Sequence, residues 1–127
     1  MKNWVIPCNL KNFDITSWFS KQREVVWKQT MRVSNDDVVY IYVGTPVKAI
    51  RYKCIVVDND VNGELLEKSK YAQIGDYEHS RKYMQLKLIK EYDEGISLET
   101  LKNMGMYMVR KQSRLDDRIV DFISAIN

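Results

Sequence analysis

Residues Val38 to Val43 constrain the fold most strongly, because aliphatic side chains (Val39, Ile41, Val43) alternate with tyrosines (Tyr40, Tyr42). A period of two belongs to a β-strand, and here it gives the two faces different chemistry. Gly44-Thr45-Pro46 is a turn signal. The chain then returns as Val47 to Val57, predicted to carry Ile50, Tyr52, Cys54 and Val56 on one face and Arg51 and Lys53 on the other. The expectation is a long hairpin whose basic outer stripe faces solvent or a ligand.

The remaining elements are shorter. Trp4 to Cys8 reads as a first strand, and Asp14 or Thr16 can cap a helix whose apolar face carries Ile15, Trp18 and Phe19. Glu64 to Tyr77 is weakly patterned, with room for one helical turn. Tyr83 to Tyr92 predicts a strand with Met84, Leu86 and Leu88 inward and Gln85 and Lys87 outward. Asp93-Glu94-Gly95 reads as a turn into a short helix with Ser97 as N-cap, Glu99 at the positive end of its dipole and Gly105 after it. Met106 to Val109 is the expected last strand. An amphipathic helix follows, with Leu115, Ile119, Phe122, Ile123 and Ile126 at helical spacing. Hairpins without regular βαβ alternation favour an α+β domain, a mostly antiparallel β-barrel flanked by short helices.

Composition bounds the function. The chain has 127 residues, 45% apolar and 29% charged, which suits one domain (1–127) with one packed core. A net charge of +3 permits nucleic-acid contact but is too small for binding by phosphate neutralisation alone. Cys8 and Cys54 lie far apart in apolar runs and read as buried core thiols of a reducing compartment. Neither a signal peptide nor a membrane-length apolar run is visible, so the expected location is the cytoplasm, away from membranes.

No catalytic, cofactor or metal motif emerges. Asp58-Asn59-Asp60-Val61-Asn62-Gly63 imitates half a calcium loop, but Ser69 stands where the bidentate Glu is needed, so a polar turn is expected. His79 is the only histidine and reads as a surface residue. The aromatics are more informative. Trp27 lies beside Lys28, Gln29 and Thr30, and Gln29 can offer a donor and an acceptor to a base edge. Tyr42 sits near the end of its strand on the non-aliphatic face. Stacking on such rings yields about 1–3 kcal/mol per base. Trp4 and Trp18 read as core. The run Arg110-Lys111-Gln112-Ser113-Arg114 reads as a rim, with cations for phosphate and Gln112 or Ser113 for a base edge.

These pieces resemble the EVE domain of the PUA-like group, related to YTH and ASCH domains. The matches are Trp4-Val5-Ile6-Pro7, then Trp27, then Asn35-Asp36-Asp37-Val38-Val39-Tyr40-Ile41-Tyr42. Ile96-Ser97-Leu98-Glu99-Thr100-Leu101, Gly105-Met106 and Arg110 to Leu115 follow in the same order. The sequence departs from the family at Pro7-Cys8-Asn9, at Lys28-Gln29-Thr30, and at Asp36, where a glycine is usual. The resemblance implies a PUA-like barrel that takes one modified base, flipped or unpaired, from DNA or RNA. Base contacts would come from Asn9, Trp27, Gln29, Tyr42, Gln112 and Ser113, and phosphate contacts from Arg51, Lys53, Arg110 and Arg114. It implies no cofactor, and a nuclease or restriction protein as partner. The alternative is a small hydrolase of modified nucleosides, as in ASCH-type domains, with Glu24, Lys28 and Thr30 as its chemistry.

Overall fold

A computed structural model describes residues 1–61 and 82–126. The expected features at Glu64–Tyr77, His79 and Ser69 lie outside them. Among the described residues six strands form one sheet: β1 (Asn3–Cys8), β2 (Glu24–Gln29), β3 (Val38–Val43), β4 (Ala49–Asp58), β5 (Lys82–Ser97) and β6 (Ser113–Arg114). Three short helices accompany them among the described residues: α1 (Ile15–Lys21), α2 (Leu98–Asn103) and α3 (Asp117–Ile126). The strand order is β2-β5-β4-β3-β1-β6, antiparallel throughout except for the parallel pair β1–β3. β1 and β2 sit far apart in that order, yet Trp4 and Ile6 share a cluster with Val25 and Trp27. The sheet therefore curls into a half-barrel around that cluster.

The central hairpin forms as expected, but both of its faces are buried. Val39, Ile41 and Val43 point into the barrel with Ile15 and Phe19 of α1. Val38, Tyr40 and Tyr42 point outward under Leu101 of α2 and Ile119 and Ile123 of α3. All six side chains of β3 are consequently buried, each large aliphatic contributing about 1.5–3 kcal/mol.

Register shifts correct the expected face of Ile50. The pairing slips between Ile41 and Tyr42 and between Ile50 and Tyr52. Ile50 thus joins the outer cluster while Tyr52, Cys54 and Val56 stay inside, because a bulge inserts one residue and reverses the alternation. Two further expectations change. Asp93-Glu94-Gly95 does not end its strand; β5 runs on to Ser97, with Gly95 at φ +77 where a Cβ would stand 2.3 Å from the Ile50 carbonyl oxygen. The glycine marks a place where two backbones approach closely, rather than a turn. Met106–Val109 forms no strand; the free edge of β1 pairs instead with Ser113 and Arg114.

Besides β6, the element missed from sequence is β2, whose alternation is hidden by Val25-Val26-Trp27, all buried. Helix caps follow the expected chemistry. Asp14 accepts from the Ser17 amide at 3.1 Å, and Ser97 accepts from the Thr100 amide at 3.2 Å. Asp58 likewise closes a polar turn by accepting from the Asp60 amide at 2.9 Å. Both thiols are free and buried. No helix among the described residues is long and apolar enough to cross a membrane.

Candidate nucleic-acid interface

Two adjoining clefts open at the carboxyl end of β1 and share Pro7, Cys8 and Asn9 as a common ridge. The first, about 330 Å³, is completed by Asn12, Phe13, Trp27 and Arg110. The second, about 450 Å³, is completed by Lys11, Tyr42, Gly44, Thr45 and Val109. Both fall in the size range of small-ligand sites, about 300–1,000 Å³. Four of the expected site residues thus gather around one ridge: Asn9, Trp27, Tyr42 and Arg110.

The loop after β1 builds this ridge. Asn9 Oδ1 accepts from the Lys11 amide at 3.0 Å, and its carbonyl accepts from the amides of Asn12 and Phe13 at 2.9 and 3.1 Å. That turn fixes Asn9 and leaves its Nδ2 donors without a partner among the described residues. It also delivers Phe13 onto Trp27, ring centroids 5.7 Å apart and planes at 81°. Trp27 itself is only 7% exposed, so the indole is a wall of the core rather than an open platform. Two nearly perpendicular rings make a corner, in which a flat base lying on one ring meets the other edge-on. Phe13 precedes the N-cap Asp14, and an aromatic in that position was the available signal for it.

Buried groups around the clefts are held in fixed protonation states. Burial first, then the nearby Asp14 carboxylate, pushes the Cys8 thiol up to about 12, against a smaller opposing backbone hydrogen bond. Cys8 is therefore a neutral lining group and no nucleophile at ordinary pH. Burial also raises the Tyr42 phenol above its ordinary value, and its hydroxyl takes no partner among the described residues.

The other expected residues are employed elsewhere. Gln29 donates through Nε2 to the Asn59 carbonyl at 2.7 Å and accepts from the Val33 amide at 3.3 Å, which ties the end of β2 to the following loop. Gln112 donates to the Lys28 carbonyl at 2.6 Å and accepts from the Thr30 amide at 2.9 Å. Both amides, expected at a base edge, are barrel fastenings. Ser113 pairs with Val5, and Arg114 lies over the Trp4 ring at 5.2 Å. Neither lines either cleft.

The strand cations also lie apart. Arg51 Nε donates to the Tyr92 carbonyl at 2.6 Å and its guanidinium approaches Glu91 at 3.7 Å. Lys53 stands opposite Tyr40, on the outer face of the sheet. The outer stripe and the barrel mouth are different surfaces.

The hydrolase constellation does not converge. Glu24 and Lys28 share a strand face that alternation sets against Val25 and Trp27. Their four-residue separation is about 13 Å along the strand, too far for shared proton transfer.

No family model and no curated protein matches the sequence. Solved structures do match over nearly the full length. A point variant of an ASCH protein from Zymomonas mobilis superposes with a TM-score of 0.72 at 14% identity, covering 98% of this chain and 96% of that one. A hypothetical protein from Leishmania major gives 0.69 at 15% identity, covering 99% and 94%. A Pseudomonas putida protein gives 0.66 at 12% identity, covering 97% of each. At these identities the likenesses show a shared fold and do not single out a family. The architecture is the PUA-like fold that ASCH proteins adopt.

Proposed function

We propose that the chain is a nucleic-acid-binding module that admits a single base at the barrel mouth, in the cleft of Asn9, Phe13, Trp27 and Arg110. The observation that carries this reading is the combination found there. A perpendicular aromatic corner sits beside free amide donors on Asn9 and an exposed cation, Arg110, that forms no ion pair among the described residues. The corner supplies stacking, Asn9 supplies hydrogen bonds to a base edge, and Arg110 holds the phosphate. The Tyr42 cleft across the ridge takes the sugar or the adjoining nucleotide, with Lys11 as its cation.

The PUA-like fold is consistent with this reading, and the resemblance to EVE domains extends it to a modified base read by a sensor, with a nuclease as its partner. Extracting a base from a duplex costs a few kcal/mol, so an unpaired or weakly paired base is the preferred ligand. A panel of single- and double-stranded DNA and RNA oligonucleotides, with and without modified cytosines, tests both levels. Tighter binding of a modified strand is the expected result. Equal binding of all strands removes the sensor reading, and salt-independent failure of every strand removes the nucleic-acid reading itself.

A further inference from the structure

The segment between α2 and β6 spends exposed apolar surface in a way the barrel does not need. Tyr107 is 68% exposed and Met108 53% exposed, next to one another on an irregular stretch that is held firmly at both ends. At one end the Met106 amide donates to the Leu101 carbonyl at 2.8 Å, past Gly105 at φ +94. At the other end Gln112 is fastened to β2. Between these anchors the segment runs along the candidate site, since Val109 lines the Tyr42 cleft and Arg110 lines the Trp27 cleft. Tyr107 stands three residues from Arg110, at most about 11 Å of chain.

Charge says what covers this patch. Arg114 and Arg118 line a cleft together with Tyr107 and Met108, and Arg110 and Lys111 follow Met108 closely in the chain. The nearby carboxylates are Asp116, which already engages Arg118 at 3.3 Å, and Asp117. An exposed ring interleaved with cations fits a single strand, whose bases stack and whose phosphates pair with the cations. Protein interfaces, which also take tyrosine, methionine and arginine, are by contrast depleted of lysines such as Lys111.

We propose that residues 104–111 form a stacking platform for the single strand that flanks the base held at the barrel mouth, with Tyr107 stacking on a neighbouring base and Arg110, Lys111 and Arg114 against its phosphates. This rests on the function proposed above and extends it from one nucleotide to several.

Affinities of the full chain for a dinucleotide and for a single strand of about eight nucleotides, with sedimentation velocity on the same samples, test the platform. Tyr107→Ala weakens the longer strand on the order of tenfold, Tyr107→Phe restores it, and the dinucleotide is unaffected by either. Lys111→Ala lowers the salt dependence for the longer strand only. If Tyr107→Ala leaves the longer strand unchanged while both lengths still bind, the platform is wrong and the barrel-mouth reading stands. If neither length binds the unmodified protein, the barrel-mouth reading fails and takes the platform with it. If Tyr107→Ala instead dissolves a self-associated species with nucleic-acid binding intact, the patch joins copies of this chain and the proposal is overturned.

Discussion

The side chain of Gln112 lies against the backbone at Lys28 as a further strand would, donating to its carbonyl at 2.6 Å while accepting from the Thr30 amide at 2.9 Å. One amide side chain thus closes the gap between the segment before β6 and the end of β2. The same fastening positions Arg110 and the segment leading to it beside the clefts.

Gln112→Leu removes both bonds and leaves a carbonyl and an amide short of partners. The expected loss is about 1–3 kcal/mol in urea unfolding at an unchanged m-value. Gln112→Glu keeps the acceptor for Thr30 but sets a carboxylate against the Lys28 carbonyl, and it is expected to recover less than half of that loss. Stability equal to the parent in both variants would show that the barrel closes without this side chain.

Asp37 predicts an acid-sensitive joint. It is 3% exposed and accepts from the amides of Lys2 and Ser34 and from the Trp4 indole, each at 2.9 Å. Burial alone would raise its carboxyl, but these hydrogen bonds outweigh burial and hold it below its ordinary value of 3.8. A depressed carboxylate stabilises the fold above the unfolded value and loses that contribution as pH falls through the folded one. Stability should therefore be flat above about pH 5 with respect to this group and decline below about pH 4. Asp37→Asn should cost about 3 kcal/mol at neutral pH and abolish that part of the decline, as read by thermal melts across pH.

The thiols give a sharp chemical readout. Burial raises both, Cys8 to about 12 and Cys54 further. Neither should react measurably with a disulfide reagent at about pH 8 in the folded protein, and both should react at once in denaturant. Rapid labelling of native Cys8 would mean that the ridge opens.

Trp27 and Arg110 should separate stability from binding. Trp27→Ala empties a core position and should cost about 3–5 kcal/mol, so loss of binding in that variant is uninformative. Arg110→Ala changes an exposed side chain. It should leave the melting temperature within about 2 °C and weaken oligonucleotide binding at low salt more than at high salt. Unchanged affinity at both salt concentrations would remove Arg110 from the site.

Legibility followed the physics of each residue. The central hairpin, the N-caps Asp14 and Ser97, and the inward Met84, Leu86 and Leu88 rest on local period and capping chemistry, and all are present. β2 was obscured because Val25-Val26-Trp27 is buried on both faces, which erases alternation. The bulge at Ile50–Tyr52 depends on how β4 meets two neighbours, which no local pattern encodes. Asp36 is instructive in the other direction. It stands at φ +75, a left-handed conformation that suits glycine and that aspartate tolerates, so aspartate holds a backbone path that glycine would take without strain. At the site, an amide in the sequence announces only hydrogen-bonding capacity. Gln29 and Gln112 spend theirs on distant backbone, whereas Asn9, held by its own turn, keeps its donors free.

The two-sided burial of β3 means that the barrel interior and the helical cover share one six-residue partition. Loosening either side bares the backbone of a strand on which the other depends, so the two layers have no independent melting point. Amide hydrogens of Val39 to Tyr42 should then exchange only through global opening, at the slowest rate in the molecule.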